Sequence, residues 1–222
     1  STVHRVFGQA MDKREAMGDK TGKRATEAGR IKGEVPTGCY DLGQGHNIIW
    51  AGRSNPGVAP LFEAEARLIE EFGASRVEWM LRRGRNLYLF PNMQLMDQSS
   101  TQIRVFRPLS PDRTEVRVYC IAPKGESREA RMTRLRKFED FFMVTGMATP
   151  DDLAALEDCQ IGAHGTQAQW NTMERGLSEV TAGPDVLARI IDADVVSSAA
   201  YWDHETLYHG YLRRWATLMD GH

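Results

Sequence analysis

Apolar and polar side chains alternate most cleanly between Leu87 and Ala122. Val116, Val118 and Cys120 alternate with Glu115, Arg117 and Tyr119, the period of a sheet buried on one side. The pattern predicts antiparallel strands over 87–90, 93–96, 101–107 and 115–122, with a turn at Ser110-Pro111-Asp112-Arg113. Two earlier strands are read at Cys39 to Leu42 and His46 to Ala51. The second sets His46, Ile48 and Trp50 on one face, and His46 reads as a core or edge histidine rather than a ligand. Helical spacing governs the rest. Leu61, Ala64, Leu68, Ile69 and Phe72 make an amphipathic helix closed by Gly73. Arg76 to Arg83 reads as a short basic helix, a solvated face or a surface for an acidic partner. Glu126 to Val144 predicts a long helix with Met132, Leu135, Phe138 and Phe142 on its apolar stripe. Asp203 to Met219 predicts a last helix carrying Tyr208, Tyr211, Leu212 and Trp215. Strands followed by a C-terminal helix imply an α+β sheet closed over a helix.

The long helix breaks at Thr145-Gly146, and a second begins at Thr149-Pro150-Asp151-Asp152. Thr149 is a good N-cap and Pro150 a good first helical residue. Asp152, three residues on, holds the capping-box position, so spacing alone makes it a helix-start acid. It shares a face with Leu156 and Cys159, whereas Asp151 falls with Ala155 and Asp158 toward solvent. A carboxylate turned inward with Leu and Cys needs a partner, and a metal ion is one such partner.

Composition narrows the field. A chain of 222 residues buries roughly 70% of its unfolded surface, enough for one domain with a real core. Its net charge of −2 makes no general case for nucleic acid or a membrane surface. No apolar run is long enough to span a bilayer, and Ser1 to Ala10 is not a signal peptide. Cys39, Cys120 and Cys159 are odd in number and far apart, which suits reduced thiols in a cytosol. Residues 12–35 hold 12 charged side chains among 24, too polar to bury, and read as a mobile loop: a plain linker or a lid. His204 and His209 share the spacing H-x4-H, but five helical residues turn through roughly 140°, so the rings diverge. Glu205 and His209, four apart, could share a cation; an exposed amphipathic helix is the simpler account.

The segment TGMATPDDLAALEDCQ (145–160) resembles the iron-carboxylate segment of the large subunit of Rieske non-heme iron aromatic-ring-hydroxylating dioxygenases. NLYLFPNMQLMDQSSTQIRVFRPLSPDRTEVRVYCIAP (86–123) is similar to the strands before that segment, and the likeness is greatest to the benzoate/toluate/anthranilate group. The resemblance implies a helix-grip (START/Bet v 1-like) catalytic domain over 1–222, with 12–35 as a lid. It implies that Asp152 and His4 hold a mononuclear Fe(II). His4 matches the second histidine of an H-x4-H pair whose first member would stand two residues before Ser1. It further implies Phe142 and Ala148 as pocket side chains, with Asn92 as a further candidate whose alternative is a strand-end turn residue. Arg104, Arg107 and Arg117 read as sheet-surface charges.

No cysteine pairs with a histidine at Rieske spacing, so the reading is a C-terminal part of a longer subunit, its [2Fe-2S] Rieske cluster in a missing domain. The implied partners are a beta subunit, neighbouring alpha subunits in an α3β3 or α3 assembly, a flavin/iron–sulfur reductase using NADH, an aromatic acid and O2. Location in the cytoplasm and little activity for the isolated chain are expected. The implied reaction adds O2 to a benzoate-like acid to give a cis-dihydrodiol. Alternatives are a monooxygenase or demethylase on the same scaffold, or a START-like binder of a hydrophobic ligand without redox chemistry.

Overall fold

The computed structural model describes residues 36–53, 55–98, 100–167 and 170–221; His4 and the expected lid at 12–35 lie outside the described residues. Its centre is an eight-stranded sheet in the order β6-β5-β4-β3-β2-β1-β8-β7. The strands β1 (Thr37–Gly43), β2 (His46–Gly52), β3 (Arg83–Leu89), β4 (Met93–Asp97), β5 (Thr101–Ser110) and β6 (Arg113–Cys120) form a meander. Two short strands, β7 (Thr181–Ala182) and β8 (Ser197–Ala199), extend it beyond β1. Every pairing is antiparallel.

Between β2 and β3 lie α1 (Glu65–Phe72) and α2 (Ala74–Arg82), separated by Gly73. After β6 come α3 (Arg128–Phe142) and α4 (Thr149–Ala163). The helix α5 (Val186–Ile190) separates β7 from β8, and α6 (His209–Met219) follows a 3-10 turn at Glu205–Tyr208. The expected α+β class and its six principal strands are observed. The strands β7 and β8 escaped the sequence reading because two or three residues carry no period.

Pairing register sorts the side chains into two faces. Tyr40, Leu42, Ile48 and Trp50 share one face, where they pack with Trp79 of α2 and Leu187 and Ala188 of α5. Here Tyr40, Trp50 and Trp79 meet with ring centroids 5.8 to 6.3 Å apart. Gly38 leaves room for the Trp50 indole, since a Cβ there would lie 2.7 Å from it. The Tyr40 hydroxyl donates to Asp185 at 3.0 Å, and the same carboxylate accepts from Ala188 N at 2.7 Å, which caps α5. On the opposite face, Asn47, Ile49, Asn86, Tyr88, Gln94, Met96, Gln102, Arg104 and Phe106 look toward α3, α4 and α6.

Two expectations about burial are corrected. On α3, Phe142 is buried and Phe138 partly so, but Met132 and Leu135 are exposed; Arg134 and Lys137 take the inward positions instead. The cause is Glu126, whose side chain is buried and demands a cation: Arg134 donates to it at 2.6 Å and also reaches Cys120 Sγ at 3.1 Å. On β6, Val116, Val118 and Tyr119 are all exposed. The strand is the sheet's edge, so its alternation does not mark a buried face.

Candidate active site

The site grows from the corner between α3 and α4. An α-helix leaves its last carbonyls without intrahelical donors, and the returning chain supplies them in succession. Met143 N donates to Phe138 O at 3.2 Å, Met147 N to Asp140 O at 3.0 Å, and Ala148 N to Phe141 O at 3.0 Å. The Thr149 hydroxyl then donates to Phe142 O at 2.8 Å. Gly146 makes this reversal possible, because a Cβ would stand 2.7 Å from Phe141 C and O. Thr149 is therefore not the N-cap expected from sequence. That place falls to Ala148, without a side-chain cap, because the Thr149 hydroxyl faces back to the helix just ended.

The corner folds Ala148 beneath the rings it follows. Ala148, Phe141, Phe142 and Met96 form one buried cluster, with Phe138 against it. The Phe141 and Phe142 rings meet edge-on with centroids 4.7 Å apart. Asp152 sits one helical turn beyond, its N–H donating to Ala148 O at 2.9 Å, and is half-buried. Its expected companions on an inward face are not inward: Leu156 and Cys159 are exposed, and α4 has no fully buried residue. Within α4 only Thr149, Asp152 and Gln160 are half-buried, so the partial burial of Asp152 comes with the corner and not from an apolar helix face.

Arg104 of β5 completes the corner's chemistry. Its guanidinium lies 5.0 Å from the centroid of Phe142, and its Nε donates to Gln102 Oε1 at 3.2 Å. Burial pulls its pKa down, and the nearby Asp152 carboxylate opposes that shift. Arg104 nonetheless stays cationic near neutrality, as guanidinium groups do. Its neighbours on that face, Gln94 across the strand and Phe106 two residues along, line a cavity of about 450 Å³. Tyr88, Leu207 and Tyr211 also line it. Burial, and then the proximity of Tyr211, push the Tyr88 phenol up to about 12, so it keeps its proton and donates a hydrogen bond to Pro91 O. A second cavity of about 180 Å³ lies elsewhere, lined by Arg53, Asp97, Arg134 and Lys137. It is ionic in character, with Arg53 paired to Asp97 at 2.9 Å.

The positions read from sequence thus separate. Phe142, Ala148 and Asp152 come together. Asn92 is exposed in the β3–β4 turn, where its carbonyl accepts from Phe106 N at 2.8 Å. His4 lies outside the described residues. His46 Nδ1 accepts from Phe90 N at 3.0 Å, a structural bond. His204 is buried beside the Tyr201 ring and His209 contacts Met173 O at 2.7 Å, so each has a separate packing role. Arg104 was missed as a site residue. The available signal was its place two residues from both Gln102 and Phe106, on the strand face that must meet the helices. Arg107 and Arg117 are exposed and share Glu115, as sheet-surface charges should.

Residues 51–221 match the family described as ring hydroxylating alpha subunit (catalytic domain). The chain belongs to that family. Among curated relatives of this catalytic domain, toluate 1,2-dioxygenase subunit alpha of Pseudomonas putida is 42% identical over 99% of this chain and 47% of its own length. The 2-halobenzoate 1,2-dioxygenase large subunit of Burkholderia cepacia is 41% identical over 82% of the chain and 39% of its length. The anthranilate 1,2-dioxygenase large subunit of Acinetobacter baylyi is 35% identical over 100% of the chain and 48% of its length. The chain therefore spans just under half of these relatives. A solved structure of naphthalene 1,2-dioxygenase with indole bound has the same fold, with a TM-score of 0.67 over 86% of this chain and 43% of that one, at 20% identity.

Proposed function

We propose that this chain is the catalytic-domain portion of a ring-hydroxylating dioxygenase large subunit that adds both atoms of O2 to a benzoate-like acid, giving a cis-dihydrodiol. The observation that carries the reading is the family match across 51–221. The corner at Asp152 supports it independently: a half-buried carboxylate, an aromatic cluster and an arginine come together there, and the arginine's sheet neighbours Gln94 and Phe106 line a cavity of ligand size.

Among the described residues no group of three His, Cys, Asp or Glu side chains could hold a metal ion. What they supply of the expected donor set is one carboxylate, and its chemistry fits. Asp152 is a hard oxygen donor held in the first turn of α4, and Cys159 is exposed and no competitor. In this reading Asp152 and His4 are ligands of a mononuclear ferrous ion. An ion so bound would supply the dioxygen chemistry that side chains cannot. The protein's own part is positional. Phe142, Ala148 and Met96 exclude water and give the ring a flat apolar wall, while the α3–α4 corner holds the Asp152 carboxylate beside it.

The whole of 1–222 is read as one catalytic domain of the helix-grip type, with 12–35 as its lid and Asn92 near the mouth. Electrons would arrive from NADH through a flavin/iron–sulfur reductase and a [2Fe-2S] Rieske cluster in the remainder of the subunit. A beta subunit and neighbouring alpha subunits complete the assembly. No helix among the described residues is long and apolar enough to cross a membrane; a cytoplasmic location is part of this reading. The test is Asp152→Ala in the full-length subunit, followed by metal analysis and turnover of benzoate. Loss of mononuclear iron and of product, with the Rieske spectrum retained, is expected. Unchanged iron content would remove Asp152 from the site.

A further inference from the structure

We propose that Arg104 is the group that recognises the substrate's carboxylate, its two terminal nitrogens forming paired hydrogen bonds to the acid while the ring lies along Phe142. This rests on the dioxygenase reading above and names the substrate determinant of that same site. Three observations converge on it. The first is a donor set without acceptors: Nε is used by Gln102, but neither terminal nitrogen has an acceptor among the described residues. Arg53, Arg82, Arg85 and Arg134 of the same sheet-and-helix framework each pair with a carboxylate. A half-buried guanidinium with open donors bears a desolvation cost that an anionic ligand would offset. The planar fork of Arg suits a carboxylate in two-point contact.

Position is the second observation. Arg104 packs over the Phe142 ring, and its neighbours on the same sheet face, Gln94 across the strand and Phe106 two residues along, line the cavity. An aromatic acid held there by its carboxylate presents its ring to the apolar cluster of Phe142, Ala148 and Met96. The third is electrostatic. Arg104 senses the charge of Asp152 yet forms no ion pair with it, so the two charges are held apart on one face. That arrangement keeps the substrate's negative end at the arginine and away from the carboxylate. The relatives at 35 to 42% identity are named for toluate, 2-halobenzoate and anthranilate. Each of those names denotes an aromatic carboxylate, so one shared anchor would serve all three chemistries. Arg107 and Arg117 are poor rivals, since both lie exposed around Glu115.

The experiment uses the reconstituted oxygenase, with full-length large subunit, its partners and reductase, as wild type, Arg104→Gln and Arg104→Lys. KM and kcat are measured for benzoate and for neutral benzamide of nearly the same shape, together with iron content. For Arg104→Gln, KM for benzoate is expected to rise about 30-fold, the loss of charge-assisted hydrogen bonds. KM for benzamide should move less than about 3-fold and iron should stay at the wild-type level. Arg104→Lys should recover part of the benzoate affinity, roughly 3- to 10-fold, since charge is kept and the fork is lost. Equal losses for both substrates, or loss of iron, would make Arg104 a packing residue and overturn the assignment. So would an unchanged KM for benzoate. A wild type that oxidises benzamide but not benzoate sinks the carboxylate anchor and leaves the dioxygenase reading standing. A wild type that oxidises neither sinks both.

Discussion

The two faces of the central sheet bury aromatic side chains in different ways. On the face of Tyr40, Trp50 and Trp79, the rings pack against one another and against α2 and α5, with Trp50 Nε1 and Arg83 Nε buried and without a hydrogen-bond partner among the described residues. The Tyr40 hydroxyl meets a carboxylate that also caps a helix, and Arg83 and Arg85 lie 5.8 Å over the Trp50 and Trp79 rings. Arg85 is paired in turn with Asp97. On the opposite face the Phe141 and Phe142 rings meet edge-on, and the terminal nitrogens of the cation over Phe142 have no acceptor among the described residues. A face sealed by interlocking aromatic rings and covering helices is built for stability, whereas one whose strand residues line a cavity has room to receive a ligand. The difference also explains the helices above. The first face is covered by α5, capped and buried at Ala188. The second carries α3, with Phe141 and Phe142 buried, whereas α4 beyond the corner has no fully buried residue.

Truncation on each face would sharpen the contrast most. Trp50→Ala should cost about 4 kcal/mol in the full subunit and lower its melting temperature by roughly 4 to 8 °C. Phe142→Ala, at a cluster that already borders the proposed ligand site, should cost less and instead change the ratio of product regioisomers. Thermal denaturation and product analysis of the two variants would break the comparison if Phe142→Ala proved the more destabilising and left the products unchanged. A smaller effect is expected from Gly146→Ala. The added Cβ must displace the Phe141 backbone, costing about 2 kcal/mol. Because the corner carries Asp152, iron content should fall with stability; iron at full occupancy would show that the corner does not position the carboxylate.

The smallest effect belongs to Glu126, away from both aromatic clusters. Its hydrogen bonds from Arg134 hold its pKa below the ordinary 4.5, against a burial effect that would raise it. A carboxylate depressed in the folded state contributes stability that is complete above roughly pH 4.5 and fades as pH falls through the folded value. Glu126→Gln should therefore lose about 1.5 kcal/mol at neutral pH and unfold with a flatter acid limb. Denaturant melts between pH 3 and pH 7 would read both; an acid limb identical to wild type would remove the ion pair from the stability account.

Local pattern was enough for the meander, because each strand from β1 to β6 is five residues or longer and alternates with its own period. It was also enough for the break at Gly146, where no side chain fits; the pairing of Phe142 with Ala148 was implied by the resemblance rather than by the pattern. The resemblance to ring-hydroxylating subunits was legible in the same segment, since motif residues sit on contiguous backbone. What spacing misjudged were the directions of side chains that depend on distant partners. Thr149 turned back to Phe142 O, Arg134 displaced Met132 and Leu135 from the inward stripe, and Leu156 and Cys159 stayed in solvent. Arg104 illustrates the limit best. In sequence it is one of three strand arginines, two of which are exposed charges. Only tertiary packing distinguishes it, because whether a guanidinium is solvated or open toward a cavity depends on what a helix 38 residues away (Phe142) brings over it.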